Sequence, residues 1–176
     1  FSILSLHDAL PISLEPQVFD MIFEDAIRTL RTKKSFYVND RALGADPSYA
    51  LPVRVITDKA FTSVFVDNMF RPIPKGIEQS IFYKKPFTVI ALPYNKLDQA
   101  KYAGKLRKMP DGKTSDMVIA LDFDRSIGIV YGSAYLVYVK KLMFAVMVYY
   151  ITEHVNVSLH GSANEGPNGR TELMIG

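Results

Sequence analysis

Two lysines, Lys140 and Lys141, stand inside the most apolar stretch of the sequence, residues 134–152. A lysine carried into apolar surroundings is costly unless it is paired or neutral. Either both ammonium groups reach along their stems to a wetted surface, or one of them is a neutral, metal-ligating or phosphate-binding lysine. Tyr135 and Tyr138 lie just upstream, and Tyr138 and Lys141, three residues apart, share a helix face. A second constellation is Ser158-Leu159-His160-Gly161-Ser162-Ala163-Asn164. A histidine ending a strand and followed by small polar residues is well placed to face a crevice of the kind that holds ligands in open α/β sheets. A hydrogen-bonded loop histidine is the plainer reading. His154 falls at a helix C-terminus, where it complements the helix dipole. A predicted last strand over residues 171–175 runs into Gly176. A phosphate-binding loop starts as strand, Gly, four residues, then Gly-Lys-Ser/Thr, and one Gly of that pattern has no weight alone. The basic segment 96–113 carries Lys96, Lys101, Lys105, Arg107, Lys108 and Lys113 against Asp98 and Asp111. With Tyr102 its only aromatic, it reads as a solvated loop rather than a nucleic-acid surface.

The elements that must carry these residues follow from periodicity. Val18, Phe19, Ile22, Phe23, Ala26, Ile27 and Leu30 recur at helical spacing over residues 16–31, with Pro16 in the first turn and Arg28 and Arg31 in the last. Strands are predicted over 35–39 and 53–57, with a turn at 44–47 between them. Asp58 is then the expected cap of a helix running to about residue 70, with Ala60, Phe61, Val64, Phe65 and Met69 as its apolar face, and Pro72 and Pro74 stop it. Residues 87–92 form a continuous apolar run, the pattern of a strand buried on both faces. After a polar loop over 95–115, strands are predicted over 117–123 and 127–131, joined through Asp124-Arg125-Ser126. A buried helix over 134–152, a strand from 155 to 159 and a small-residue loop over 161–169 complete the chain. Helices and strands in this mixture predict an α/β fold, a mixed sheet flanked by helices.

Composition narrows the classes. The chain has 176 residues, 48% apolar and 22% charged, with 21 Lys+Arg against 18 Asp+Glu and no Cys. That is the make-up of a packed domain rather than a disordered segment. It excludes disulfides and thiolate chemistry, and an excess of +3 does not argue for nucleic acid. No apolar run reaches the roughly 18–20 residues of a membrane span. A cytoplasmic location is therefore expected.

Taken in order, several segments resemble the ATP-dependent phosphoenolpyruvate carboxykinases. They are V-R-V-I-T-D at 53–58, D-N-M-F-R-P at 67–72, F-T-V-I-A-L at 87–92 and S-D-M-V-I-A-L-D-F at 115–123. The strongest markers are Y-x5-K at 135–141 and S-L-H-G-S-A-N-E-G at 158–166. The family carries Y-x-G-E-x-K-K-G, and its H-C-S-A-N-V-G follows the second Lys by the nineteen residues that separate Lys141 from His160. Its phosphate loop begins sixteen residues after that His, which is Gly176 here. The resemblance implies the family's N-terminal-domain fold, truncated, over residues 14–176. It implies conversion of oxaloacetate and ATP to phosphoenolpyruvate, CO2 and ADP, a carboxy-lyase step of gluconeogenesis. By position, Tyr135 resembles the substrate-contacting Tyr. Lys141 resembles the Lys that touches both substrate and Mn2+, and His160 the Mn2+-binding His; Mg2+ is the companion cation of ATP. Gly176 resembles the first Gly of the ATP loop. These assignments make Lys141 and His160 the catalytic and metal residues, and the full-length enzyme a monomer. Departures are Tyr131 for a Gly, Tyr138 for Glu, Leu142 for Gly, Gly161 for Cys, Glu165 for Val and Arg170 for an acidic residue.

The two ends are read separately. Ser5-Leu6-His7-Asp8-Ala9-Leu10-Pro11-Ile12 is one reading frame of a common short-read library adapter, TCC CTA CAC GAC GCT CTT CCG ATC. Residues 1–13 are accordingly expected to be an artefact segment. The family's G-R-S-P-K-D motif is absent, and the rest of the phosphate loop with its acidic metal ligand would follow residue 176. This piece by itself is therefore expected to be inactive, its partner being the missing C-terminal part of its own chain. Two other readings are open: another P-loop phosphotransferase, or a non-catalytic α/β interaction domain.

Overall fold

A computed structural model of the chain describes residues 3–7, 10–154 and 157–175. In chain order the elements are β1 (Ile3–His7), β2 (Leu10–Ser13), α1 (Pro16–Arg31), β3 (Tyr37–Leu43), β4 (Leu51–Thr57), α2 (Ala60–Met69), β5 (Phe87–Leu92), β6 (Val118–Asp122), β7 (Ile127–Tyr131), α3 (Val137–His154), β8 (Gly161–Glu165) and β9 (Thr171–Ile175), with a short 3-10 turn at Ile77–Gln79. The chain divides into two compact units, residues 1–144 and 145–176.

The first unit is built on one mixed sheet in the order β2-β1-β6-β7-β5-β4-β3. β4, β5 and β7 run parallel, while β3 and β6 join antiparallel to β4 and β7. The strands of residues 37–131 thus make five of the seven. β1 and β2 extend the β6 edge, with Ile3 opposite Asp122 and Leu4 opposite Ser13. The central strands β5, β6 and β7 are buried at nearly every position, as their unbroken apolar runs require.

Side-chain alternation then separates the two faces. Val18, Phe19, Ile22 and Ala26 of α1 pack with Ile90 and Leu92 of β5, Val118 and Ala120 of β6, and Ile129 and Tyr131 of β7. The first half of α3 lies on the opposite face. A Cβ added at Gly128 of β7 would come within 2.7 Å of the Leu142 side chain and 3.2 Å of Phe87, so glycine there lets α3 approach the sheet closely. α1 starts on Pro16 and ends in Arg28 and Arg31, as its sequence predicts.

Three expectations need correction. α2 does not take Asp58 as its cap: Lys59 stands at the N-cap with no side-chain cap bond. The Asp58 side chain instead is buried, 1% exposed, with Oδ2 3.0 Å from Lys33 Nζ and accepting from Asn95 Nδ2 at 3.1 Å. Its other oxygen has no hydrogen-bond partner among the described residues. A carboxylate this useful to the β4 and β5 ends is not free to cap. Secondly, α2 buries Thr62 and Val66, whereas Phe61, Val64 and Met69 of the expected apolar face are exposed. Apolar residues occur all round this helix, so periodicity does not choose its inner side. Thirdly, no strand covers residues 157–159, residues 155–156 lie outside the described ones, and the small-residue stretch holds β8, paired from Gly161 opposite Ile175 to Glu165 opposite Thr171. Cross-strand pairing outweighs the low β-propensity of Gly, Ser, Ala and Asn. Replacing Asp58 by Ala should lower the unfolding free energy by about 2 kcal/mol through loss of the Lys33 and Asn95 contacts. Urea denaturation measures it, and an unchanged midpoint would contradict this role.

Candidate functional site

The parallel strands β4, β5 and β7 end together at Thr57, Leu92 and Tyr131, opposite one another in register through Ala91 and Leu92. Their carboxyl ends form the sheet edge where open α/β folds place ligands. The residues that follow are polar. Lys33 Nζ donates to Asn95 Oδ1 at 2.8 Å, and Lys59 Nζ lies 5.6 Å from the centre of the Tyr94 ring. Lys96 Nζ donates to Asp116 Oδ1 and to the Gly132 carbonyl, each at 3.2 Å.

The loop after β7 delivers the first predicted site residues. Gly132 takes φ +84°, and its N–H donates to the Leu92 carbonyl at 3.1 Å. Ser133 Oγ accepts from the Tyr135 N–H at 3.3 Å, and the Tyr138 N–H donates to the Tyr135 carbonyl at 3.1 Å, beginning the helix. Tyr135 and Tyr138 meet edge to face, ring centres 5.4 Å apart. Lys141 Nζ lies 5.9 Å from the Tyr138 ring centre, within reach of a weak cation–π contact. The structure therefore brings Tyr135, just before α3, into one array with Tyr138 and Lys141 of its first turns. Lys140 and Lys141 are both exposed.

His160 belongs to the second unit. It is exposed and immediately precedes β8, rather than ending a strand. In that unit Gly161 sits close to β9: a Cβ there would stand 2.5 Å from the Met174 carbonyl oxygen. Gly176 lies outside the described residues. Among the described residues no group of three or more His, Cys, Asp or Glu side chains is gathered that could hold a metal ion. Lys141 and His160 each offer a single nitrogen, and a divalent cation needs more ligands than that. No helix among the described residues is long and apolar enough to cross a membrane.

Sequence reasoning missed a buried polar cluster. Asp25 of α1 is 4% exposed. Its Oδ1 accepts from Lys101 Nζ at 2.6 Å and from Arg28 at 2.5 Å, and its Oδ2 accepts from the Tyr102 hydroxyl at 2.9 Å. Burial raises the Asp25 pKa, but the bonds from Lys101 and Tyr102 and the charges of Lys101 and Arg28 outweigh it and hold the carboxyl below its ordinary range. Burial, reinforced by the Asp25 charge, pushes the fully buried Tyr102 hydroxyl far up. The cluster clamps the 95–115 loop to α1. Its signal in the sequence is a carboxylate on the apolar stripe, three residues after Ile22. The basic segment is likewise more engaged than a solvated loop, with Lys96 on Asp116 and Lys101 on Asp25.

Comparison with known proteins adds an independent finding. A family model described as phosphoenolpyruvate carboxykinase matches residues 8–176. Phosphoenolpyruvate carboxykinase (ATP) 1 of Moorella thermoacetica is 35% identical over 81% of this chain and 25% of its own length. Phosphoenolpyruvate carboxykinase (ATP) of Alkaliphilus oremlandii is 34% identical over 93% of the chain and 29% of its own length. The second Moorella protein of that name is 33% identical over 98% and 31%. The chain thus spans about a quarter to a third of the length of these relatives.

Proposed function

From the premise that the chain belongs to the phosphoenolpyruvate carboxykinase (ATP) family, we propose that it is the N-terminal-domain portion of a cytoplasmic, monomeric enzyme. That enzyme converts oxaloacetate and ATP to phosphoenolpyruvate, CO2 and ADP in gluconeogenesis. The observation that carries the proposal is the family match over residues 8–176, which takes in the Tyr135–Lys141 array and the nineteen-residue step to His160. In the reaction, the bond from oxaloacetate C3 to its departing carboxylate breaks and leaves an enolate with CO2. The enolate oxygen then bonds to the γ-phosphorus of ATP as the bond to ADP breaks. Such chemistry needs positioning and charge stabilisation more than covalent help from the protein.

Tyr135, at the carboxyl end of β7, orients the oxaloacetate. Lys141 faces the developing enolate charge, and Lys141 and His160 would each supply a nitrogen ligand to a divalent cation, Mn2+ or Mg2+. Held there, such a cation would supply positive charge to the enolate and the transferring phosphoryl oxygens. Gly176 opens the ATP-binding loop. Mn2+ binding by the full-length gene product, followed by electron paramagnetic resonance, tests the ligand assignment. Lys141→Met and His160→Ala should each weaken binding by at least about tenfold, and unchanged affinity in both variants would overturn it.

A further inference from the structure

We infer that Lys96 is a positioning residue for Tyr135, tying the turn after β7 to the segment entering β6; as a claim about catalysis it rests on the role proposed above for Tyr135. Three chain segments meet at this point. Lys96 Nζ donates to Asp116 Oδ1 and to the Gly132 carbonyl, both at 3.2 Å. The next residue, Leu97, donates its N–H to the Asp116 carbonyl at 2.9 Å. The Gly132 N–H closes the knot on the Leu92 carbonyl at 3.1 Å. Gly132 is held so tightly that a Cβ would stand 2.7 Å from the Asp116 carbonyl oxygen. Only Ser133 and Ala134 separate this knot from Tyr135, whose N–H is already bound to Ser133 Oγ.

The Lys96 ammonium bonds the Gly132 carbonyl of this turn directly. It also pairs with Asp116, so without it the Gly132 carbonyl loses a donor and the turn loses its side-chain tie to the segment entering β6. Tyr135 and the start of α3 move with the turn. Lys96 touches neither reacting atoms nor Tyr135 itself, so it acts through backbone geometry. Small misplacements of a substrate-orienting group have large kinetic consequences.

Fluorotyrosine placed at Tyr135 and read by fluorine NMR tests the geometry without any reaction. Lys96→Met should shift and broaden the Tyr135 signal. Lys96→Arg, which keeps a cationic donor, should restore it. Lys113→Met should leave it unchanged, because Lys113 faces Asp111 at 3.9 Å in the same loop. If Lys96→Met does not fold, Asp116→Asn, which removes only the charge Lys96 pairs with, decides by the same signal. A Tyr135 signal indifferent to both variants overturns the inference. In the full-length gene product Lys96→Met should raise KM for oxaloacetate about tenfold with KM for ATP unchanged; an unchanged oxaloacetate KM overturns the catalytic consequence. A wild-type protein without carboxykinase activity whose Tyr135 signal still responds to Lys96 would refute the proposed function and leave the positioning role standing.

Discussion

Replacing Asp25 by Ala is expected to lower the unfolding free energy by about 3 kcal/mol at neutral pH, because breaking a buried charge pair strands its partners. Here the stranded groups are the Tyr102 hydroxyl, whose ring is fully buried, and the Lys101 ammonium 2.6 Å from the carboxylate. The Asp25→Asn variant should lose less, since its carbonyl can still accept from Tyr102 at 2.9 Å or from Lys101. The sign of the pH dependence follows from the lowered Asp25 pKa. A carboxyl held below its unfolded value of about 3.9 stabilises the fold fully above that pH and loses the contribution as pH falls through the folded value. The gap between wild type and Asp25→Ala should therefore be constant above about pH 5 and shrink below about pH 4. Urea denaturation across that range measures both, and a gap that grows on acidification would contradict the assignment.

Replacing Gly132 by Val should cost about 3 kcal/mol and abolish the ordered turn before Tyr135. The φ of +84° belongs to a region that β-branched residues avoid. The space is also closed by backbone: a Cβ would meet the Asp116 carbonyl oxygen at 2.7 Å and Met117 Cα at 2.9 Å. Neither neighbour can swing aside as a side-chain end would, which distinguishes this position from Gly128, where the nearest atoms belong to the Leu142 side chain. Gly132→Ala should fall between the two. Thermal unfolding with circular dichroism gives the loss, and a melting temperature within a degree or two of wild type for Gly132→Val would refute the argument.

Much of the fold is legible in local pattern. The α1 bounds, the β5 run and the two strands around Asp124–Ser126 follow from periodicity and apolar run length, because their burial is dictated by their own residues. What escaped is what depends on distant partners. Asp58 looks like a cap until Lys33 and Asn95, far off in sequence, claim its carboxylate. α2 offers apolar residues on every side, and only its seat on β3 and β4 selects Thr62 and Val66 for the interior. β8 is made of poor strand formers, and β9 creates it by pairing. The Tyr135–Lys141 array was visible as helical spacing, whereas the Lys96 knot that precedes it was not, since its three segments are remote along the chain. Tyr131 illustrates how a departure from the family pattern is accommodated: the residue in place of Gly is buried at 4% exposure, and its hydroxyl lies 2.8 Å from Thr29 Oγ1, tying β7 to α1.

The most direct test of the account is the formation of phosphoenolpyruvate from oxaloacetate and ATP by the full-length gene product, with Lys141→Met beside the wild type. The wild type should release phosphoenolpyruvate, CO2 and ADP in equal amounts, and Lys141→Met should lower kcat by about a thousandfold. A wild type that forms no phosphoenolpyruvate, or a Lys141→Met protein as active as the wild type, would contradict it.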